Sequence, residues 1–338
     1  MVMPIISVSE PGLPFHLLFL KLFMEYSIEN TNRYKRKSKL MRNAIIVLCI
    51  CIVLAVVSFF SYRFVVNRLY AHPSFHLLRH QWESYDYPAV YETSHSLLER
   101  APFNNTARTY HGYAAFYLGV SALDTSNAQG YLDEAINNLR IALMSAKQSL
   151  VPQLEYMLGK AYFYKNTVSS YYYSDLAIKY LKQAREHGYK ADDIPEYLGL
   201  SYAALDMTMD SITSFTEALL ARESDALLLS IAEQYYKIGQ HAAAEQYLFR
   251  VIKDCDDKNL VLQSRMLLGT IYTDEEKYAE AEKEFLSILE EDKNFADAYY
   301  ELGALYEKQG DIIKARAEWR RALRIQVNHQ KALKKLSE

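Results

Sequence analysis

Residues 296–329 read ADAYYELGALYEKQGDIIKARAEWRRALRIQVNH, and this stretch decides the architecture. Tyr299, Leu302, Gly303 and Tyr306 recur at helical spacing and put one apolar stripe on a first helix. Gly310-Asp311 breaks the pattern and opens a second helix, whose buried stripe is Ala315, Trp319 and Ala322. Small residues at Gly303, Ala315 and Ala322 let the two helices approach closely, and Tyr306 and Trp319 fill the space beside them. Thirty-four positions upstream the same slots hold Leu268-Gly269, Tyr272, Ala281 and Phe285. A period of this size predicts stacked helical hairpins that share one continuous core.

The frame extends further upstream. It fits Leu262–Phe295, with Glu276 where the loop glycine of the last unit stands. From Asp225 it runs through Ile231-Ala232, Tyr235, Gly239 and Ala244, and from Asp192 through Leu198-Gly199, Tyr202, Ser211, Phe215 and Ala218. From Pro152 it shows Leu158-Gly159 and Tyr162, then resumes at Ala177, Leu181 and Ala184 after about six extra residues. A unit from Asn105 has Gly112, Ala135, Leu139 and Ala142, with a loop insertion of about eleven residues expected between its helices. A first unit, Ala71–Asn104, holds Leu77, Leu78 and Gln81 in the corresponding slots. Gln330–Glu338, with Lys331, Lys334 and Lys335, reads as a polar capping helix.

This succession resembles the tetratricopeptide repeat (TPR), down to the loop KQGD at Lys308–Asp311; the proline that commonly ends the second helix is replaced by Val327. The resemblance implies an all-α fold: a right-handed α-solenoid of about six to seven TPR hairpins over residues 71–338, with a concave groove lined by the first helix of each pair. Carried onto this chain, the inward face takes Tyr156, Lys160 and Tyr164; Glu196, Leu200 and Ala204; Leu229, Glu233 and Lys237; Met266, Thr270 and Asp274; and Tyr300, Ala304 and Lys308. Of these, Tyr156, Lys160, Tyr164, Glu233, Lys237, Tyr300 and Lys308 are the candidates for partner contact. Aromatics mixed with a few charges suit a peptide segment or helix. The alternative is that many of these tyrosines only cover the wall. No Lys followed four residues later by Asn lies on this face, which argues against the subclass that clamps a C-terminal carboxylate. Tyr171-Tyr172-Tyr173, after Lys165, either packs over a hairpin end or forms an exposed patch.

Ala44 to Tyr62 is 19 residues without a charge, AIIVLCICIVLAVVSFFSY. As a helix it spans roughly 29 Å, close to the hydrocarbon thickness of a bilayer. A transmembrane helix over 44–66 is therefore expected, with a basic cytoplasmic segment, 1–43, before it. Arg33, Lys35, Arg36, Lys37, Lys39 and Arg42 precede the segment, and only Arg63 and Arg68 follow closely. That bias predicts a cytoplasmic N-terminus and repeats on the extracytoplasmic side of a bacterial inner membrane. A cleaved signal peptide is the competing reading, with Val57-Ser58 and Phe60-Ser61 as weak cleavage sites. Met1, Met24 and Met41 are each candidate starts.

Residues 1–70 carry nine Lys/Arg and three Glu, so the net charge of −3 leaves −9 on the rest. An acidic body disfavours nucleic acid as a partner. Cys255 is alone in that body, beyond Cys49 and Cys51 of the apolar run. His72, His76 and His80, spaced four apart, would share one helix face and are the candidate metal ligands; a surface of ordinary histidines is the simpler reading. The chain contains no P-loop, GxGxxG, GxSxG, HExxH or CxxC, so neither catalysis nor a cofactor is expected. The function expected is a membrane-anchored scaffold for envelope proteins or peptides, of undetermined oligomeric state. A TPR accessory protein holding a small apolar molecule, for a transporter, is the second reading.

Overall fold

A computed structural model describes residues 43–65 and 73–338. The basic N-terminal segment, the choice among start codons and His72 lie outside those residues. Helix α1, Asn43–Val65, is long and apolar enough to cross a membrane, a property shared by anchors and signal sequences. It belongs to a different compact unit from the helical body, Leu78–Glu338.

The described residues after α1 contain helices and no strand. Seven hairpins follow in order: α2 (Phe75–Glu83) with α3 (Tyr87–Arg100), α4 (Asn105–Ser121) with α5 (Thr125–Met144), α6 (Val151–Val168) with α7 (Ser174–Glu186), and α8 (Ile194–Ala204) with α9 (Thr208–Ala221). Then come α10 (Asp225–Lys237) with α11 (His241–Asp254), α12 (Lys258–Asp274) with α13 (Tyr278–Glu291), and α14 (Ala296–Lys308) with α15 (Ile312–Ile325). The expected capping helix is α16, Gln330–Ser337, which buries Ala332 against α15. Each second helix packs on the next first helix. Successive first helices also meet, α4 with α6, α6 with α8, α10 with α12 and α12 with α14, more closely than successive second helices do. The first helices therefore form the tighter, inner layer of an α-solenoid.

One contact recurs through the stack. A Cβ placed on Gly269 would lie 2.6 Å from Phe285, one on Gly199 2.5 Å from Phe215, and one on Gly159 2.6 Å from Leu181. Gly303 faces Trp319 in the same way, and Trp319 Nε1 donates to the Tyr300 carbonyl at 3.2 Å. Each glycine lets a bulky side chain of the second helix lie on the first-helix backbone. Phe215 and Phe285 are fully buried there, and burial of such a ring contributes about 1.5–3 kcal/mol.

The turn between paired helices also repeats. Gly310 and Gly239 take positive φ, at 82° and 70°. Glu276 takes 62° in the position where the sequence frame called for glycine, and Asp206 takes 55° in its own turn. The geometry is set by the hairpin and is imposed on side chains that ordinarily avoid it.

One expectation is corrected. The extra residues of the second unit do not form a loop: only Ala122, Leu123 and Asp124 separate α4 from α5. Instead the helices are longer, 17 and 20 residues. The added turns place Gly119 against Leu132 as Gly112 lies against Leu139, so the close approach occurs twice along one hairpin. These turns enlarge the N-terminal core, which runs from Tyr113 to Leu198. In the third unit the extra residues are shared between α6 and its turn. Tyr173 packs on Tyr162 at 6.1 Å, whereas Tyr171 and Tyr172 stay exposed, so the triplet divides between the two expected roles.

Candidate functional site

The inner layer presents its side chains in two parts. The N-terminal part centres on Lys160. Proline at the start of α6 and of α8 suits the first helical turn, and Asp193, just before α8, lies against Tyr156 and Lys160 of α6. Tyr156 donates to both Asp193 oxygens, at 2.8 and 2.6 Å, and Lys160 Nζ reaches Asp193 Oδ2 at 3.0 Å and Tyr156 Oη at 3.1 Å. Lys160 Nζ also lies 4.8 Å from the centre of the Tyr197 ring, a contact that favours a desolvated cation. Tyr164 shares a hydrogen bond of 3.1 Å with Tyr197. Burial first, then that bond, pushes the Tyr164 hydroxyl up to about 12. Tyr156 is raised further, by burial and then by the Asp193 carboxylate. These phenols are hydrogen-bond donors throughout the physiological range.

The C-terminal part is a run of ion pairs between neighbouring repeats. Lys237 meets Asp206 at 3.3 Å, and Lys308 meets Asp274 at 2.8 Å. Asp274 also accepts from Tyr236 at 2.8 Å, and its carboxyl sits below the usual range because the contacts with Lys308 and Tyr236 outweigh desolvation, the largest opposing cause. Glu233 keeps solvent contact, yet desolvation raises its carboxyl above the usual range, against the opposing pull of Lys237. Tyr300 packs beside His329, ring centres 5.3 Å apart, with Lys331 Nζ 5.6 Å from its centroid.

Of the seven candidates, the structure brings Tyr156, Lys160 and Tyr164 together; Glu233 and Lys237 follow on α10, and Tyr300 and Lys308 on α14. Tyr156 is largely buried, and Leu229, also assigned to the inward face, is core. Asp193, Tyr189, Tyr197, Tyr113, Tyr117 and Trp82 escaped the sequence reading. Tyr113 and Tyr117, four apart on a first helix, carried the signal that could have found them. His76 and His80 are exposed on α2, and among the described residues no group of three or more metal-ligating side chains converges.

The hairpin stack, its repeated glycine contact and its side-chain-rich inner layer define a TPR solenoid. Residues 223–337 match the family described as tetratricopeptide repeat-like domain. The fold is similar to the C-terminal part of a TPR repeat-containing protein from Cytophaga hutchinsonii, at 13% identity, a TM-score of 0.56, and coverage of 78% of this chain and 99% of that one. It is also similar to a tetratricopeptide repeat protein from Parabacteroides merdae, at 16% identity, a TM-score of 0.51, and coverage of 67% and 91%. No curated protein matches the sequence.

Proposed function

We propose that this chain is a membrane-anchored TPR scaffold that recruits envelope proteins through its inner layer and performs no chemistry. The observation that carries the reading is the wall itself: aromatic rings and charged groups are interspersed over α6, α8, α10 and α14, with Asp274 on α12 between them, in the mixed polarity that protein segments bind. The basic flank before α1 supports a cytoplasmic N-terminus and extracytoplasmic repeats in a bacterial inner membrane. The small-ligand alternative asks for a pocket closed by the tyrosine-rich insertion. Tyr171 and Tyr172 instead point to solvent, 75% and 80% exposed, which favours the scaffold.

Two experiments test this. A photo-crosslinking amino acid in place of Lys237 or Lys308 should capture a discrete envelope protein in intact cells, identified by mass spectrometry; adducts no different from those at a second-helix position such as Lys253 would refute recruitment. A reporter active only outside the cytoplasm, fused after Glu338, should be active. Activity of a cytoplasm-only reporter there would refute the orientation.

A further inference from the structure

The outer faces of α13 and α15 are one repeat apart and opposite in charge. On α15, Ile313, Arg316, Arg320 and Arg324 recur every three or four residues and form one stripe, opposite the buried Ala315, Trp319 and Ala322. In the same slots α13 holds Ala279, Glu282, Leu286 and Glu290, opposite the buried Ala281, Phe285 and Ile288. The repeat fold therefore does not dictate the arginines, since it accepts carboxylates in those positions. The contrast extends beyond the two stripes. Residues 312–337 carry eight Lys/Arg and one Glu, a net of +7, so the −9 of residues 71–338 leaves −16 on the rest of the body.

Several charges at this end are matched within the chain: Lys314 with Asp311, Arg321 with Glu318 and Lys335 with Glu307. Glu282 accepts from Tyr306 Oη at 2.5 Å. Arg320 and Arg324 are exposed and have no ion pair, and neither has Glu290 on α13. Within one chain they do not meet. Second helices lie on the outer side of the stack, where neighbours approach less closely, and among the described residues no hydrogen bond or ion pair joins α13 to α15. A second copy removes the mismatch. A two-fold axis running along and between α13 and α15 lays α15 of each copy on α13 of the other, at the same level in the repeat. Arg316 and Arg324 then stand opposite Glu282 and Glu290 of the other copy, and the contact is made twice. Leu286, 45% exposed, and Ile313, 86% exposed, add apolar surface to it. We propose that the outer faces of α13 and α15 form a self-complementary surface through which two copies of this chain associate. That surface lies on second helices, apart from the recruiting wall on first helices.

Analytical ultracentrifugation of the full chain in detergent micelles tests this. The parent should dimerise at low ionic strength and dissociate as salt rises toward molar levels, where screening acts within about 3 Å. Arg324→Glu sets like charges opposite each other twice per dimer, and so does Glu290→Arg; each alone should weaken association at least about tenfold. Mixing the two variants restores opposite charges at both contacts, so a heterodimer of near-parent affinity is expected. Both side chains are exposed and unpaired, so unchanged melting temperatures separate lost association from lost fold. A monomeric parent, a dimer indifferent to both substitutions, or a mixture no better associated than its components would overturn the proposal. So would dimers that form only when phosphatidylglycerol is added to the micelles, a result that assigns the arginines to lipid headgroups. Capture of a partner at Lys237 in cells beside a monomeric parent would sink this inference alone and leave recruitment standing.

Discussion

Gly269 and Gly130 both lie inside helices, yet a methyl group added to each meets opposite surroundings. At Gly269 it would press on the Phe285 ring at 2.6 Å, and Phe285 is fully enclosed and has nowhere to move. Gly269→Ala should therefore destabilise the body by about 1–3 kcal/mol, the usual cost of overpacking. At Gly130, on the outer side of α5, nothing lies within 4 Å. Gly130→Ala should stabilise by about 0.5–1 kcal/mol, because the unfolded chain loses freedom and the helix gains a better former. Urea unfolding of the two variants beside the parent checks both signs. The Gly269 contact was legible beforehand, since a glycine and an aromatic sixteen residues apart recur as Gly199 with Phe215 and Gly303 with Trp319. Pairing of Lys160 with Asp193 was not. Nothing on α6 alone reveals which side chain the connection between α7 and α8 will bring to it.

At the scale of elements, the long α4 is held between α3 and α5 by a polar contact as well as by its glycines. His111 is 3% exposed; its Nδ1 is 2.9 Å from Ser94 Oγ and its Nε2 is 3.2 Å from Glu134 Oε2. The Tyr91 ring stacks on it at 4.5 Å, and the His95 ring is centred 5.9 Å away. Burial lowers the His111 pKa from the usual imidazole value, more than Glu134 raises it. As pH falls below about 6.5, the unfolded chain takes up this proton before the folded one does. The stabilisation that His111 contributes is thus complete above that pH and is lost as pH falls through the depressed folded value, at no more than about 1.4 kcal/mol per pH unit. Melting temperature followed from pH 7.5 down to 5 should fall less steeply in His111→Asn than in the parent; parallel curves would refute the assignment. The hairpin's lengthening was hidden in the sequence for a related reason. A second Gly–Leu pair, Gly119 with Leu132, sits seven residues inside the first on both helices, but only antiparallel packing shows that the two pairs belong to one interface.

For the whole molecule, a stack in which each hairpin packs mainly on its neighbours should lose stability locally. Phe285 anchors the cluster that joins α12, α13 and α14, whereas the core from Tyr113 to Leu198 is made by α4 through α8. Phe285→Ala should cost about 3–5 kcal/mol. The loss should appear in hydrogen exchange as earlier opening of α12 to α15, with α4 to α7 still protected. Uniform loss of protection along the body would show a single cooperative unit instead.

Sequence by itself determined the period, the pairing of helices into hairpins, most side chains of the core and the apolar helix before them. The first three follow from spacing that recurs in successive units, and the last from one unbroken apolar run. Tertiary structure alone decided which inward-facing groups remain available. Lys160, Lys237 and Lys308 are each drawn to a carboxylate about one repeat away, Leu229 is core, and Tyr113 is left with an unpaired hydroxyl. Those outcomes depend on how far each hairpin turns relative to the next. That rotation is set by the packing of many side chains between repeats, and no single helix encodes it.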